Sequence, residues 1–170
     1  KKKKDIPAGR KIIGNRWVYA LKEDGTYRSR TVGQGFSQIP GKDFHENHAP
    51  VVHDTTFRFC LVQMLIYRLS SGQFDGVTAF LYGLLDEIIY MAFPDGYELF
   101  LQEKFGLTYS STEYCLLLEK ALYGLVQAAR QWWKKFKEAM ANCGYYPTAI
   151  DPCLFIKKDK DMQPLAFVII

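Results

Sequence analysis

Alternating apolar and polar positions from Ile12 to Val32, interrupted at Asp24-Gly25, predict two antiparallel strands joined by a tight turn, because that dipeptide supplies the positive φ a hairpin requires. From Gly33 to Pro50 no apolar period is sustained and Gly, Pro, Asn and His abound, so this is a connecting segment. Asp54 or Thr55 can then cap a helix. Phe57, Leu61, Leu65 and Leu69, with Val62 and Ile66 beside them, recur at helical spacing and give it one apolar face ending near Ser70, before Gly72. Gln73 to Asp75 reads as a short strand that places Asp75 at its end and runs into a tight turn over Thr78 to Gly83.

Ile88 to Phe93 is a β-branched and aromatic strand closed by Pro94-Asp95-Gly96, and the polar stretch through Ser111 reads as a surface excursion. Cys115 to Leu118 resumes a strand. Leu125, Ala128, Ala129, Trp132, Trp133, Phe136, Ala139 and Met140 outline the clearest helix of the chain, ended by Gly144. Asp151 to Lys157 and Leu165 to Ile170 are two final strands about a polar turn at Asp159 to Asp161.

At 170 residues, 48% apolar and 15% aromatic, the chain can bury one core of ordinary size, which excludes disorder as its main state. Its longest apolar runs fall far short of the ~20 residues of a membrane-spanning helix. Lys1 to Lys4 have no apolar stretch behind them, so the start is not a signal peptide and reads as the cut end of a fragment. Lys and Arg number 22 against 18 Asp and Glu, and the net charge of +4 permits a polyanionic partner without requiring one. The placement of charge says more. Arg10, Lys11, Arg16, Arg28 and Arg30 stand among Trp17, Tyr19 and Tyr27, a mixture suited to neutralising phosphate and stacking on bases, and equally to a solvated two-stranded ribbon.

Cys60, Cys115, Cys143 and Cys153 never form a C-x-x-C pair, which points away from a zinc ribbon or redox dithiol and toward a reducing intracellular compartment. His45, His48 and His53 cluster in sequence but lack a fourth ligand. They read as loop residues bonding a turn.

Several blocks, in order, resemble the reverse transcriptase domain of copia-type long-terminal-repeat retrotransposons. They are Ile6-Pro7-Ala8-Gly9, Asn15-Arg16-Trp17-Val18-Tyr19, Asp24-Gly25-Thr26, Arg28-Ser29-Arg30-Thr31-Val32, Gly35-Phe36 and Ala49-Pro50-Val51-Val52 in the first part. Gln73-Phe74-Asp75, Thr78-Ala79-Phe80-Leu81-Tyr82-Gly83, Ile89-Tyr90-Met91, Leu122-Tyr123-Gly124-Leu125 and Gln127-Ala128-Ala129-Arg130-Gln131-Trp132 continue it. No single block decides the matter; their joint order and spacing do.

The resemblance implies an α+β fold: the fingers and partial palm of a right-hand polymerase, an antiparallel sheet with packing helices, forming one fragment over 1–170. The fingers hairpin would occupy about 11–33, and 34–170 the rest. It implies a nucleotidyltransferase, an RNA-directed DNA polymerase adding deoxynucleotides to a primer on an RNA or DNA template, within a Pol polyprotein carrying further domains. Two Mg²⁺ ions would serve the intact enzyme, held by carboxylates at adjacent strand ends, and Asp75 matches the first of these. Phe80 matches the aromatic residue that excludes a 2′-hydroxyl, and Arg28 and Arg30 match finger positions that grip a triphosphate. Tyr123, Gly124 and Gln127 match the loop flanking the nucleotide, and Arg130 a nucleic-acid contact. On residue type alone, Asp75 would be a turn former, Phe80 a core aromatic and the arginines ordinary strand-face charges.

Departures from the family pattern point the other way. Val126 and Ala129 stand where Lys and Pro are usual, Gly76-Val77 follow Asp75 in place of Val and a polar residue, Leu84 and Ile88 replace acidic residues, and Asn47-His48 replace Thr-Phe. Phe167 to Ile170 matches the strand that leads into the Tyr-Val-Asp-Asp turn, so the chain reads as stopping before the remaining catalytic carboxylates. Asp86 and Glu87 are expected to face solvent and not to replace them. The expectation is therefore a polymerase fragment inactive by itself, located within the cell in a cytoplasmic particle or the nucleus. The alternative is a noncatalytic remnant with weak nucleic-acid binding.

Overall fold

The computed structural model describes residues 1–170. Eight strands and three helices are present, the strands in three small sheets, two of which pack on α3 (Ala128–Asn142). Strands β1 (Ile12–Ile13), β4 (Leu84–Met91) and β5 (Leu116–Lys120) make the central sheet. β4 runs parallel to β1, with Ile12 opposite Tyr90, and antiparallel to β5, with Ile89 opposite Leu118. Strands β2 (Asn15–Leu21) and β3 (Tyr27–Gly33) are the expected hairpin, in register from Asn15–Gly33 to Leu21–Tyr27. Gly25 takes φ 78° at its tip, and the Asp24 carboxylate accepts the Thr26 N–H at 2.9 Å. Strands β6 (Tyr146–Pro147), β7 (Leu154–Lys158) and β8 (Pro164–Ile169) form a third, antiparallel sheet.

Ile13, Ile89, Met91, Ala121, Leu125 and Ala128 form the core, with Phe80, Leu85 and Leu118 packed against it. It lies where the central sheet meets the start of α3 (Ala128–Asn142). The apolar stripe read from sequence drives this packing. Phe136 meets the fully buried Phe155 of β7 edge to face at 5.5 Å, and this contact docks the third sheet on α3. Cys143 closes α3 and Gly144 follows at φ 81°. All four cysteines are free thiols, and no helix is long and apolar enough to cross a membrane.

The sequence-based expectations need correction in three places. Helix α1 (Asp54–Ile66) forms, with His53 as its N-cap residue, but it ends before Ser70, and Arg68 beyond it takes φ 50°. Its apolar face is not buried: Leu65 is 74% exposed and Cys60 is its one buried residue, because no strand or helix packs along it. The strand expected at Gln73 to Asp75 is absent. A strand exists only with a ladder partner, and residues 71–76 have none; Phe74 is 96% exposed. The polar stretch after Gly96 contains helix α2 (Tyr97–Phe105), bracketed by Gly96 and Gly106, both with positive φ.

Candidate functional site

Register and pleat place the basic residues of the hairpin. Arg30 stands opposite Val18 and Arg28 opposite Ala20, so period two puts both arginines on one face of β3. Arg28 is exposed near the tip, in a shallow concavity with Tyr19, Leu21 and Tyr27. Arg30 is half-buried, its guanidinium 4.9 Å from the ring centroid of Tyr123. The Tyr123 ring also meets Phe80, at 4.8 Å between centroids and 60° between planes. Three residues from three separate segments thus stand in one series: cation, ring, ring. Each contact is worth roughly 0.5–1.5 kcal/mol.

Tyr123 is placed by its own backbone. Its carbonyl accepts the Gly33 N–H at 2.8 Å and the Gly124 carbonyl accepts the Gly35 N–H at 3.0 Å. Gly124 takes φ 88°, and a Cβ there would lie 2.2 Å from the Gly33 oxygen; one on Gly35 would lie 2.1 Å from the Gly124 oxygen. Only glycine permits this approach of the loop to the hairpin base. Phe80 sits in a single 3-10 turn, Ala79–Tyr82, entered through Thr78 in the left-handed region and held against α3.

Other expected contacts are drawn inward. The Gln127 side chain is 0% exposed. Its Nε2 donates to the Asp43 carbonyl at 2.9 Å and to Glu87 at 3.4 Å, and its Oε1 accepts from Gln38 at 3.0 Å. No group of this amide is left for a nucleotide. Arg130, in the first turn of α3, pairs with Glu46 and donates to the His48 carbonyl at 3.3 Å, so nucleic acid would have to compete for it. Asp86 and Glu87 are not simply solvated. Asp86 is tied to Lys134 and to Gln131, and those hydrogen bonds, the Lys134 one foremost, hold its carboxyl below the usual range. Glu87 also accepts the His45 N–H at 3.3 Å.

Asp75 is exposed, without hydrogen bond or ion pair, on the irregular segment before the Phe80 turn. Its neighbour Gly76 approaches the Trp132 ring. No group of three or more His, Cys, Asp and Glu side chains is placed to hold a metal ion. A divalent cation of octahedral preference needs convergent oxygen ligands, so residues 1–170 do not by themselves fit a two-Mg²⁺ site.

Gln38 and Asp43, both buried, escaped the sequence reading, since burial of a polar side chain has no local signature. The paired Gly33 and Gly35 were the one cue to a close backbone approach. The departure at Ala129 lies in the first turn of α3, where Pro would forfeit no intrahelical hydrogen bond and Ala, a strong helix former, continues the helix as well.

The profile of the reverse transcriptase (RNA-dependent DNA polymerase) family matches residues 2–169. The chain is 38% identical over 159 residues to the Retrovirus-related Pol polyprotein from transposon TNT 1-94 of Nicotiana tabacum, covering 91% of the chain and 11% of that polyprotein. It is 32% and 31% identical over 150 residues to the Retrovirus-related Pol polyproteins from transposons RE1 and RE2 of Arabidopsis thaliana, covering 85% of the chain and 10% of each. The chain therefore spans about a tenth of the length of these relatives. No solved structure matches it. With its length matched almost throughout, the chain belongs to the reverse transcriptase family of copia-type retrotransposon Pol polyproteins.

Proposed function

We propose that the chain forms the fingers and part of the palm of an RNA-directed DNA polymerase, with the hairpin at about 11–33 as fingers. The observation that carries this reading is the Arg30–Tyr123–Phe80 series, which joins a hairpin cation to two rings from distant segments. In this reading Arg30 and Arg28 meet the triphosphate of an incoming deoxynucleotide, and the Phe80 ring lies where a 2′-hydroxyl would project. Gly124 gives the loop its close approach, and Gln127 acts through that loop instead of by contact. Asp75 supplies one catalytic carboxylate, facing the side where β8 ends. Reverse transcriptases generally use Mg²⁺, and the carboxylates to complete such a site would come from outside residues 1–170. Partners are a primed RNA or DNA template and the other domains of a Pol polyprotein, inside the cell.

A noncatalytic remnant that binds nucleic acid weakly is the second reading, favoured by the solitary position of Asp75. Both readings place nucleic acid on the hairpin. The Arg28→Glu/Arg30→Glu double variant is therefore expected to weaken binding of a short RNA–DNA hybrid. It should also lower the slope of log affinity against log salt by about 1.5, the release expected for two lost phosphate contacts. Fluorescence anisotropy across a salt series measures it. An unchanged slope removes the hairpin from the binding surface. Primer extension by the Pol polyprotein carrying this segment separates polymerase from remnant.

A further inference from the structure

Gln38 and Gln127 are both buried, and they hydrogen-bond each other across the junction between the hairpin and α3. Gln38 lies just beyond β3 and also accepts the Val126 N–H at 2.9 Å; Gln127 reaches on to the Asp43 carbonyl and to Glu87. The loop is gripped at every residue but Leu125. Tyr123 and Gly124 bond the glycines of the hairpin base, and Val126 and Gln127 bond Gln38. Leu125 itself packs on Gly33.

Apolar side chains of the same volume would fill this space at comparable stability. A satisfied buried polar network adds what they cannot, a single register for the segments it joins. That register is what holds the Tyr123 ring against Arg30 and Phe80, since the ring has no hydrogen bond of its own there. We propose that Gln38 and Gln127 are a positioning couple that locks the Tyr123–Gly124 loop onto the hairpin base and so sets the Arg30–Tyr123–Phe80 stack for a deoxynucleoside triphosphate. The triphosphate rests on the function proposed above; the grip on the stack stands on hydrogen bonds alone.

The test is made on the 170-residue chain with Gln127→Met and Gln38→Met, singly and together, reading two signals. One is the upfield ring-current shift of the Arg30 side-chain resonances beneath Tyr123 by NMR, and the other is the affinity for dATP by calorimetric titration. Either single variant is expected to lose most of the Arg30 shift and to bind dATP about tenfold more weakly. The double variant should fall short of the sum of the singles, because the bond between the two residues is already lost in each. Ile89→Val, a core change that touches no member of the couple, should leave the shift intact. The proposal is overturned if a folded variant keeps the Arg30 shift. Should Gln127→Met fail to fold, Gln38→Met decides, and fast amide exchange at Val126 in the unaltered chain would overturn the proposal without any variant. A chain that binds no dATP sinks the nucleotide reading, while the Arg30 shift still decides the couple.

Discussion

Asp75→Asn in a polymerase-competent Pol polyprotein carrying this segment is expected to lower primer extension by roughly 10²–10³-fold, the usual cost of deleting one group that stabilises transition-state charge. In the 170-residue chain the same change should leave the melting temperature where it was. The separation follows from geometry: the Asp75 carboxylate is exposed and makes no hydrogen bond or ion pair, so the fold does not depend on it. A single-turnover extension assay beside a thermal melt checks both halves. Extension at the unaltered rate would remove Asp75 from the reaction, and a large fall in melting temperature would show that it serves the fold. In the same polyprotein Phe80→Ala should admit ribonucleotides, because its ring contributes to the proposed pocket wall and only partly to the core.

Asp151 should behave in the opposite way. It is 1% exposed and accepts the N–H of His53 and the N–H of Cys153, each at 2.9 Å, with the His53 Nδ1 a further 3.7 Å contact. It therefore ties the start of α1, which nothing else packs along, to the turn before β7. Asp151→Asn keeps the shape but turns an NH₂ toward a backbone N–H, leaving buried donors facing each other. About 2–3 kcal/mol of stability should be lost, a fall of roughly 5–10 °C in melting temperature for a domain of this size. Burial pushes the Asp151 carboxyl up, but the hydrogen bonds from Thr56, His53 and Cys153 outweigh it, and the balance lies below the ordinary value. A carboxylate with a lowered native pKa stabilises above its unfolded value, about 3.9, and that contribution disappears as pH falls through the native value. The gap in melting temperature between the unaltered chain and Asp151→Asn is thus expected to be present from about pH 5 to 7 and to close below about pH 4. Taking the difference cancels the other carboxylates with lowered pKa, Asp24, Asp86 and Glu98, which both proteins share. A gap that persists at low pH would contradict the assignment. The nearby Cys60 and Cys153 thiols are pushed up, by burial first and by Asp151 second, so they stay neutral throughout that window.

Elements whose signals are local were legible from sequence. The hairpin turns at Asp24-Gly25, α3 follows its apolar stripe, and the final two strands flank Asp159 to Asp161, all as the patterns require. Where existence depends on a distant partner, the pattern misled. Gln73 to Asp75 has strand-forming residues and no ladder to join, and α1 has an apolar face with nothing laid on it. Helix α2 was hidden for a different reason, since Leu101 is its only buried residue and its polar positions looked like loop. At the site, side-chain chemistry could be read and burial could not. The resemblance puts Gln127 in the loop flanking the nucleotide, whereas the fold spends that amide internally. Arg30, Tyr123 and Phe80 lie far apart in sequence and were linked only through the family resemblance, yet they meet in space.

The glycine contacts between loop and hairpin also have a genetic meaning. Every glycine codon begins GG, so any change at its first or second base replaces the residue. At Gly35 and Gly124 each replacement drives a Cβ to within 2.1–2.2 Å of a backbone oxygen. These codons therefore have no conservative missense neighbour, unlike that of Ala129, whose side chain is exposed. Among sibling copies in a host genome, those released from selection should lose Gly35 or Gly124 as readily as any other codon. Copies still under selection should vary at 129 while keeping both glycines, so resequencing this short stretch sorts living elements from dead ones without an enzyme assay.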